Sequence, residues 1–339
     1  MSHSETSLVK ATTPLETADP VESYKTARLP RNQWSRQFWR GTVRRHGKEG
    51  DGIVNAFRGL FVLVVLVASA VALPGEVSAH QPRRPIGDDV TILDPEVSKA
   101  YYSTLDGRGH TYRIRAAVAF DLYVSLTVPD ISGQGTDISA VVVRVDGNGG
   151  TVGTLDGVAH KWTKFFEPFG FSDYLQGPEY RGRAEPGEYE IRVTSPRSDR
   201  KYVLVVGEIE AFDFKETVNA LDLVPLIKRD FFGETPATFL FSPMGLAYVV
   251  AVFATAFGVG AVFRSLVRRV RWGGVRRPIR NIGFTDRSLR LGFGVALFAW
   301  AIGTTWDPIT LFMSGFCFYE GVSRWCVLHS AIGRNTCPV

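Results

Sequence analysis

Two cysteines and a histidine near the end of the sequence could carry thiol or metal chemistry. Cys326 and His329 are three positions apart and would share a helix face, and Cys337 follows them. Thiolates and imidazoles are common ligands of zinc and copper. A closed metal site usually needs four ligands, however, and only these three candidates lie close together. We therefore expect no metal here: Cys326 packs at a helix end that His329 caps. Metal or sulfur handling is the competing hypothesis.

His80 is a further candidate metal ligand. It follows the small residues Val77 to Ala79, a pattern typical of signal peptidase cleavage. Cleavage would make His80 the N-terminal residue, and its amine and imidazole could then bind copper as a histidine brace does. The other ligands would have to come from His110 or His160, and no spacing assigns them. We expect no copper site, and both interpretations of the preceding apolar segment, cleaved signal peptide or retained anchor, stay open.

The segment from Lys161 to Arg183 is unusually rich in aromatic residues. Prolines and glycines interrupt it, which predicts a long loop rather than a helix or a strand. The loop either plugs one end of a β-domain or forms a partner-binding surface, because aromatic side chains are enriched in interface cores. The candidate partner-binding residues are Trp162, Phe165, Phe166, Phe169, Phe171 and Tyr174.

The sequence gives no indication of an enzyme. Glu167, Asp173 and Glu179 are acids of the aromatic segment that could serve a glycosidase, but no histidine or serine neighbours them at catalytic spacing. The chain contains no G-x-S-x-G, Walker loop, C-x-x-C, H-E-x-x-H or dinucleotide fingerprint. We therefore predict no catalytic residues and no cofactor.

Long apolar regions identify a membrane protein. Thr235 to Phe263 contains no charged side chain and is long enough to cross the roughly 30 Å hydrocarbon core as a helix. Two further apolar runs, 289–305 and 309–328, follow it, and Phe57 to Leu73 forms an apolar segment near the start. The spans carry few polar groups, which argues against a transporter or a proton path.

Residues 80–235 are predicted to form an all-β sandwich. His110 to Asp130 alternates apolar and polar residues in two runs, and Asp146 to Gly150 carries the turn signals of a hairpin. This region contains no cysteine, so its stability must come from its own core rather than from disulfides. Lys215 to Phe232 favours an amphipathic helix leading to the membrane, with Pro225 bending or interrupting it.

The arginines predict the orientation in the membrane. Between Arg264 and Arg290 there are nine arginines and one acid. Basic residues beside apolar spans mark the cytoplasmic side, so we do not expect nucleic acid as a partner. This places both termini in the cytoplasm and the β-domain outside the inner membrane, with a turn at Trp306 to Pro308 on the outer face.

The C-terminal region resembles a known membrane domain. Asn281 to Gly283, Asp286-Arg287 and Arg290, followed by two apolar runs and Gly333 to Cys337, are similar to the two-helix transmembrane domain of the YgaP type. Where that family has a Cys-Pro pair this sequence has Cys326-Val327, and no rhodanese domain precedes the region. The resemblance implies a helix-packing, self-associating module of bacterial inner membranes without catalytic activity.

A second resemblance concerns the predicted sandwich. Gly187 to Val193 and Lys201 to Val206 are similar to the closing strands of bacterial prepeptidase-C-terminal-type jelly-roll domains. This resemblance implies that the β-domain is a sandwich of two sheets.

The sequence therefore predicts a membrane protein of mixed α+β class, with an extracytoplasmic all-β sandwich and three or four transmembrane helices. The predicted regions are a disordered basic cytoplasmic tail (1–56), a signal anchor or signal peptide (57–79), the β-sandwich (80–235), a transmembrane helix (236–263), a basic cytoplasmic loop (264–288) and the two-helix membrane domain (289–339).

The predicted function is that of a non-enzymatic accessory or scaffold subunit, whose sandwich docks a partner in a respiratory or photosynthetic membrane complex. Two alternatives stay open: a metal- or sulfur-handling membrane protein, and an envelope- or carbohydrate-binding module on a membrane stalk. The expected partners are membrane lipids, other membrane-protein subunits and a second copy bound through the C-terminal helices.

Overall fold

The computed structural model describes residues 80–269 and 280–337. These residues lie within one compact unit of the chain, Phe57–Val339. The predicted cytoplasmic tail, the first apolar segment and the middle of the arginine-rich loop lie outside the described residues. Predictions for those segments therefore stay predictions.

The β-domain consists of two sheets. Its strands are β1 (Gln81–Arg83), β2 (Asp89–Ile92), β3 (Lys99–Thr104), β4 (His110–Ala116), β5 (Phe120–Pro129), β6 (Ser139–Arg144), β7 (Gly150–Leu155), β8 (Thr163–Glu167), β9 (Ser172–Ala184), β10 (Gly187–Thr194) and β11 (Lys201–Val206). One sheet has the order β1-β3-β11-β5-β9-β8 and the other the order β2-β4-β10-β6-β7. The pairs β1–β3 and β2–β4 are parallel, and the other pairs are antiparallel.

The sandwich core lies between the two sheets. Strand β11 shows why one sheet has apolar residues on both faces: Tyr202 and Leu204 point into the sandwich core, whereas Val203 and Val205 belong to a second cluster on the outer face. The predicted hairpin at Asp146 to Gly150 is confirmed, since β6 and β7 pair on either side of it. The predicted closing strands are β10 and β11, which lie in different sheets, so the sandwich core lies between them.

The prediction of a long aromatic loop at Lys161 to Arg183 was wrong. This segment forms a hairpin of β8 and β9, called here the β8–β9 hairpin. Gly177 and Pro178 do not end strand β9, because they form a bulge opposite Leu126 of β5. Proline has no N–H to donate to a neighbouring strand. It is tolerated at a bulge because the extra residue there is left unpaired.

A helix connects the sandwich to the membrane region and is buried on two faces. Helix α1 (Phe214–Ile227) contains Pro225, as predicted, and continues as a π-helical turn, Lys228–Phe232. Ile227 and Leu223 pack on the outer face of the six-stranded sheet. Ala220 and Val224 pack in a third cluster with the membrane-region helices. Helix α1 therefore lies between two apolar clusters, one shared with the sheet and one shared with the membrane region.

Three longer helices follow the connecting segment. They are α2 (Pro243–Arg269), α3 (Phe284–Gly303) and α4 (Pro308–Ser323), with a short helix α5 (Val327–Ile332) after them. In the described residues α2 is the one helix that is long and apolar enough to span a membrane by length and composition alone. Within Pro243–Arg268, the most apolar stretch of 18 residues has a mean hydropathy of 2.2. The number of spans stays a prediction.

Two predicted boundaries differ from the structure. The predicted span 236–263 divides into a 3-10 helix, Pro236–Phe241, and α2, because Pro243 lacks an N–H and suits the first turn of a new helix. The predicted loop 264–288 is shorter, since α2 continues to Arg269 and α3 begins at Phe284. The predicted turn before Pro308 is confirmed: Asp307 caps α4 by accepting the N–H of Thr310 at 2.7 Å.

Small residues allow the helices to approach closely. A Cβ on Gly260 of α2 would lie 2.3 Å from the Tyr319 ring of α4, and a Cβ on Gly315 would lie 3.1 Å from that of Ala256. Ser314 of α4 donates a hydrogen bond to the Gly294 carbonyl oxygen of α3 at 2.8 Å. Such contacts are typical of helix association in membranes.

Candidate functional site

The structure separates the six candidate partner-binding aromatics into different environments. Trp162 packs against the sandwich core above Gly177, and its indole N–H donates to the Gly157 carbonyl oxygen at 2.7 Å. Tyr174 of β9 is buried on the outer face of the six-stranded sheet, where its hydroxyl lies 3.0 Å from that of Tyr102. Burial raises the pKa of Tyr174 well above its usual value. These two side chains are part of the fold rather than of its free surface.

Phe169 joins the hairpin to the membrane region. It lies in the turn between β8 and β9 and packs against the cluster that contains Phe239 and Trp306. Its backbone N–H donates to Glu167 Oε1 at 2.6 Å, and the N–H of Gly170 donates to Glu167 Oε2 at 2.6 Å. Burial raises the pKa of Glu167, although these two donors act in the opposite direction.

The remaining candidates are exposed. Phe165 and Phe166 of β8 have 44% and 46% of their surface exposed, and Phe171 has 38%. Neighbouring residues of a strand point to opposite faces, so Phe165 and Phe166 belong to different surfaces. The three residues are therefore available for contact outside the described chain.

A groove lies beside Phe165 on the outer face of the six-stranded sheet. It has a volume of about 340 Å³. Its lining includes Phe165, Tyr102, Tyr123, Tyr174, Glu179 and Arg181. The Arg181 guanidinium lies over the Tyr123 ring, 4.6 Å from its centroid, which holds both side chains in place. The groove therefore combines aromatic walls with hydrogen-bonding groups.

A buried lysine holds the tip of the β8–β9 hairpin. Lys228 is completely buried, and its ammonium donates to the Phe171 carbonyl oxygen at 2.8 Å and to Ser172 Oγ at 3.0 Å. The same group donates to Glu234 Oε2 at 3.0 Å. A buried charge requires such partners, and here they come from the hairpin and from the segment before the membrane helices. Lys228 therefore fixes the sandwich to the connecting segment.

A polar cluster joins the ends of the C-terminal region. The Asn281 side-chain NH₂ donates to the Cys326 carbonyl oxygen and to Ser330 Oγ, each at 2.9 Å, and its Oδ1 accepts the N–H of Cys326 at 2.7 Å. The N–H of Thr336 donates to the Asn281 carbonyl oxygen at 3.2 Å. One asparagine thus connects the segment before α3, the start of α5 and the C-terminal tail.

An ion pair crosses between α3 and α4 beside this cluster. Arg290 donates to Glu320 and, at 3.1 Å, to Asp286 Oδ1 one turn earlier. Glu320 is only 4% exposed, and its other oxygen accepts the N–H of Val327 at 3.2 Å. Glu320 is the single acid in an apolar run, and that isolation was the signal for a buried partner.

The cysteines make backbone contacts. Cys326 is fully buried and caps α5, because its sulfur accepts the N–H of His329 at 3.5 Å. The expected direction, with His329 as the cap, was wrong. The thiol of Cys337 donates to the Ile282 carbonyl oxygen at 3.1 Å. Cys317 lies at the contact between α3 and α4, since a Cβ on Gly294 of α3 would be 3.3 Å from the Cβ of Cys317.

The histidines of the β-domain are also engaged. His80 Nδ1 forms a hydrogen bond with Ser98 Oγ, and burial lowers the pKa of His80 although Glu210 acts in the opposite direction. His110 is buried, and its Nδ1 lies 2.7 Å from the Tyr202 hydroxyl. Neither His80 nor the set of Cys326, His329 and Cys337 forms a group of three close ligands among the described residues.

One trio of ligand types does come together in the described chain. Atoms of Asp88, Asp106 and His110 lie within 4.8 Å of one another. Arg108 already pairs with both carboxylates, at 2.8 Å to Asp88 and 2.6 Å to Asp106. The arginine supplies the positive charge that a cation would bring, so the trio does not point to a metal.

Comparison with known proteins decides the nature of the C-terminal region. Residues 279–339 match the family model described as inner membrane protein YgaP-like, transmembrane domain. This region is a YgaP-like transmembrane domain. The resemblance predicted from Asn281 to Gly283 and from the C-terminal motif is confirmed, and the YgaP-like domain places the chain in the inner membrane. Its polar cluster and its Arg290–Glu320 pair lie inside the matched residues.

The β-domain was compared with solved structures. The pre-peptidase C-terminal domain of a collagenase from Bacillus anthracis, a crystal structure at 1.0 Å, is similar with a TM-score of 0.22 and 12% sequence identity. The similarity covers 38% of this chain and 95% of that domain. It is the domain type that the closing strands resembled. No curated protein matches the chain.

Proposed function

We propose that this protein is a non-enzymatic, membrane-anchored accessory or scaffold subunit of a larger membrane complex, of the respiratory or photosynthetic kind. Its sandwich docks a partner protein while the helices pack in the membrane. The observation that supports this best is the burial of α1 on two faces, against the sheet through Ile227 and against the membrane region through Ala220. A sandwich mounted in this way presents a surface at a fixed height and angle to a neighbouring subunit.

The sidedness is part of the proposal. The nine arginines from Arg264 to Arg290 favour a cytoplasmic position for the connection between α2 and α3, since translocating them is strongly disfavoured. The β-domain lies at the other end of α2 and is then extracytoplasmic, with the C-terminus returning to the cytoplasm. Three or four spans are compatible with this arrangement.

The free edge of β8 is the docking surface we propose. In the described part of the chain β8 pairs only with β9, so its other edge offers unpaired backbone groups. Phe165 stands beside this edge and lines the groove with Tyr102 and Tyr174. An extended partner segment could add to the edge as a further strand and place an apolar side chain in the groove.

The alternatives receive less support. A binding module on a stalk would need a flexible joint, whereas the joint at α1 is packed and Lys228 is hydrogen-bonded across it. Metal or sulfur handling would need accessible thiolates, whereas Cys326 is fully buried. Self-association through the C-terminal helices remains compatible with the accessory role.

Replacing Phe165 with lysine is expected to weaken partner binding about tenfold or more, because aromatic anchors carry much of the energy of an interface. The full-length protein is extracted from native membranes in mild detergent, and the mass of its complex is measured. We expect the variant to appear mainly at the mass of the free protein.

The matched control is Val118→Lys. Val118 is 71% exposed and precedes Phe120, which pairs with Ala184 at the end of β9 farthest from β8. This variant should keep the complex, and both variants should melt at the wild-type temperature. An unchanged complex in Phe165→Lys would contradict docking at β8.

A further inference from the structure

Three exposed aromatic rings form a continuous patch, the Phe166–Phe171–Phe241 patch. The ring centroids of Phe166 and Phe171 are 5.2 Å apart, and those of Phe171 and Phe241 are 5.7 Å apart. Phe241 is 68% exposed, more than the other two. The patch joins the tip of the β8–β9 hairpin to the chain segment that enters the membrane region.

The position of Phe241 sets the height of the patch relative to the membrane. It is the last residue of the 3-10 helix, and α2, the candidate span, begins at Pro243. Leu246 in the first turn of α2 is 51% exposed. The patch therefore lies beside the first turn of the candidate span, where the outer surface of α2 is apolar.

Other exposed apolar side chains mark the same end of the bundle. Trp306, in the turn between α3 and α4, contacts Phe239 of the 3-10 helix and Tyr248 in the second turn of α2, so these helix ends lie together. Trp300 near the end of α3 and Ile309 at the start of α4 are 68% and 72% exposed. Aromatic and apolar side chains at this depth are typical of a membrane–water interface.

The backbone of Phe171 gives a second, independent observation. Its φ is +58°, in the left-handed region that glycine or asparagine adopts at lower energy. The carbonyl oxygen of Phe171 accepts the Lys228 ammonium, which holds this conformation. The chain thus keeps a large, partly exposed aromatic side chain where backbone energetics favour a small residue, and this ring joins those of Phe166 and Phe241 into one patch.

We infer that the Phe166–Phe171–Phe241 patch inserts into the boundary between headgroups and acyl chains of the surrounding phospholipid bilayer. The occupant is lipid, because the patch lies beside the first turn of the candidate span, where the outer surface of α2 is apolar. The hairpin tip then forms a contact with the membrane additional to the helices. Two attachment points, one through the helices and one through the tip, fix the tilt of the sandwich.

The inference is tested by photocrosslinking in native membranes. A diazirine-bearing phenylalanine analogue replaces Phe166, Phe171 or Phe241 in the full-length chain, and the adducts are identified by mass spectrometry. We expect phospholipid adducts at all three positions. The probes at Phe166 and Phe241 keep the test valid if the analogue is not tolerated at the left-handed backbone of Phe171.

Two further positions provide controls. The analogue at Leu246, on the lipid-facing side of α2, should give phospholipid adducts, and the analogue at Val118, at the far end of the sandwich, should give none. Protein adducts at Phe166 and Phe241 would overturn the inference, as would an absence of adducts there while Leu246 reacts. Lipid adducts at Phe241 without any at Phe166 would also overturn it, because the hairpin would then lie above the bilayer.

Discussion

Replacing Arg290 with alanine is expected to destabilise the YgaP-like domain by about 3–5 kcal/mol, since it leaves a buried carboxylate without its partner. Glu320 would lose its cationic partner and keep the N–H of Val327 as a donor, and Asp286 would lose its contact with the same guanidinium. The measurement is the fraction of full-length protein that stays monodisperse in detergent after heating. We expect a much lower midpoint temperature than for the wild type.

Two matched variants separate the ion pair from a general effect of charge. Arg280→Ala removes an exposed arginine of the same region and should behave like the wild type. The double variant Arg290→Met with Glu320→Gln removes both charges and keeps an acceptor for Val327, so it should recover much of the lost stability. If Arg290→Ala were as stable as Arg280→Ala, the pair would not stabilise the domain.

Replacing Lys228 with methionine is expected to release the tip of the β8–β9 hairpin. The change removes the donor to the Phe171 carbonyl oxygen and to Ser172 Oγ, which costs about 1–3 kcal/mol for a buried acceptor left unpaired. The Glu234 side chain is 37% exposed and stays hydrated, so its lost ion pair adds little. Hydrogen exchange of the amides around Gly170 should become faster, because local opening of the tip requires less free energy. The melting temperature of the β-domain should fall as well.

The control for Lys228 is Lys215→Met, which removes the same charge from an exposed position near the start of α1. It should leave both the exchange rates and the melting temperature unchanged. Equal behaviour of the two variants would show that Lys228 does not fix the hairpin. The rigid mounting of the sandwich, on which the proposed function depends, would then lose its main polar contact.

The sequence predicted much of the architecture because its patterns are local. Alternating residues in His110 to Asp130 correspond to β4 and β5, and the glycine-rich turn before Gly150 corresponds to the β6–β7 hairpin. The motif beginning at Asn281 identified the C-terminal domain, because its polar residues form one hydrogen-bonded cluster around Asn281 in the fold.

The failures arose where a distant contact changes the meaning of a local pattern. Pro178 predicted a loop, yet it lies in a bulge that only the pairing with β5 creates. Lys228 appeared to be an ordinary helix residue, and only the folded hairpin supplies its acceptors. The six aromatic candidates were adjacent in sequence, but strand alternation and burial divide them: Trp162 and Tyr174 pack in the fold, and Phe165 and Phe166 face different surfaces.

The central claim is that the sandwich docks a protein partner at the edge of β8 while the helices hold it in the membrane. The most direct measurement is photocrosslinking from Phe165 in native membranes, with the same photoreactive residue at Val118 as the control. The account predicts one protein adduct of defined mass from Phe165 and none from Val118. An absence of protein adducts from Phe165, or the same adducts from both positions, would contradict it.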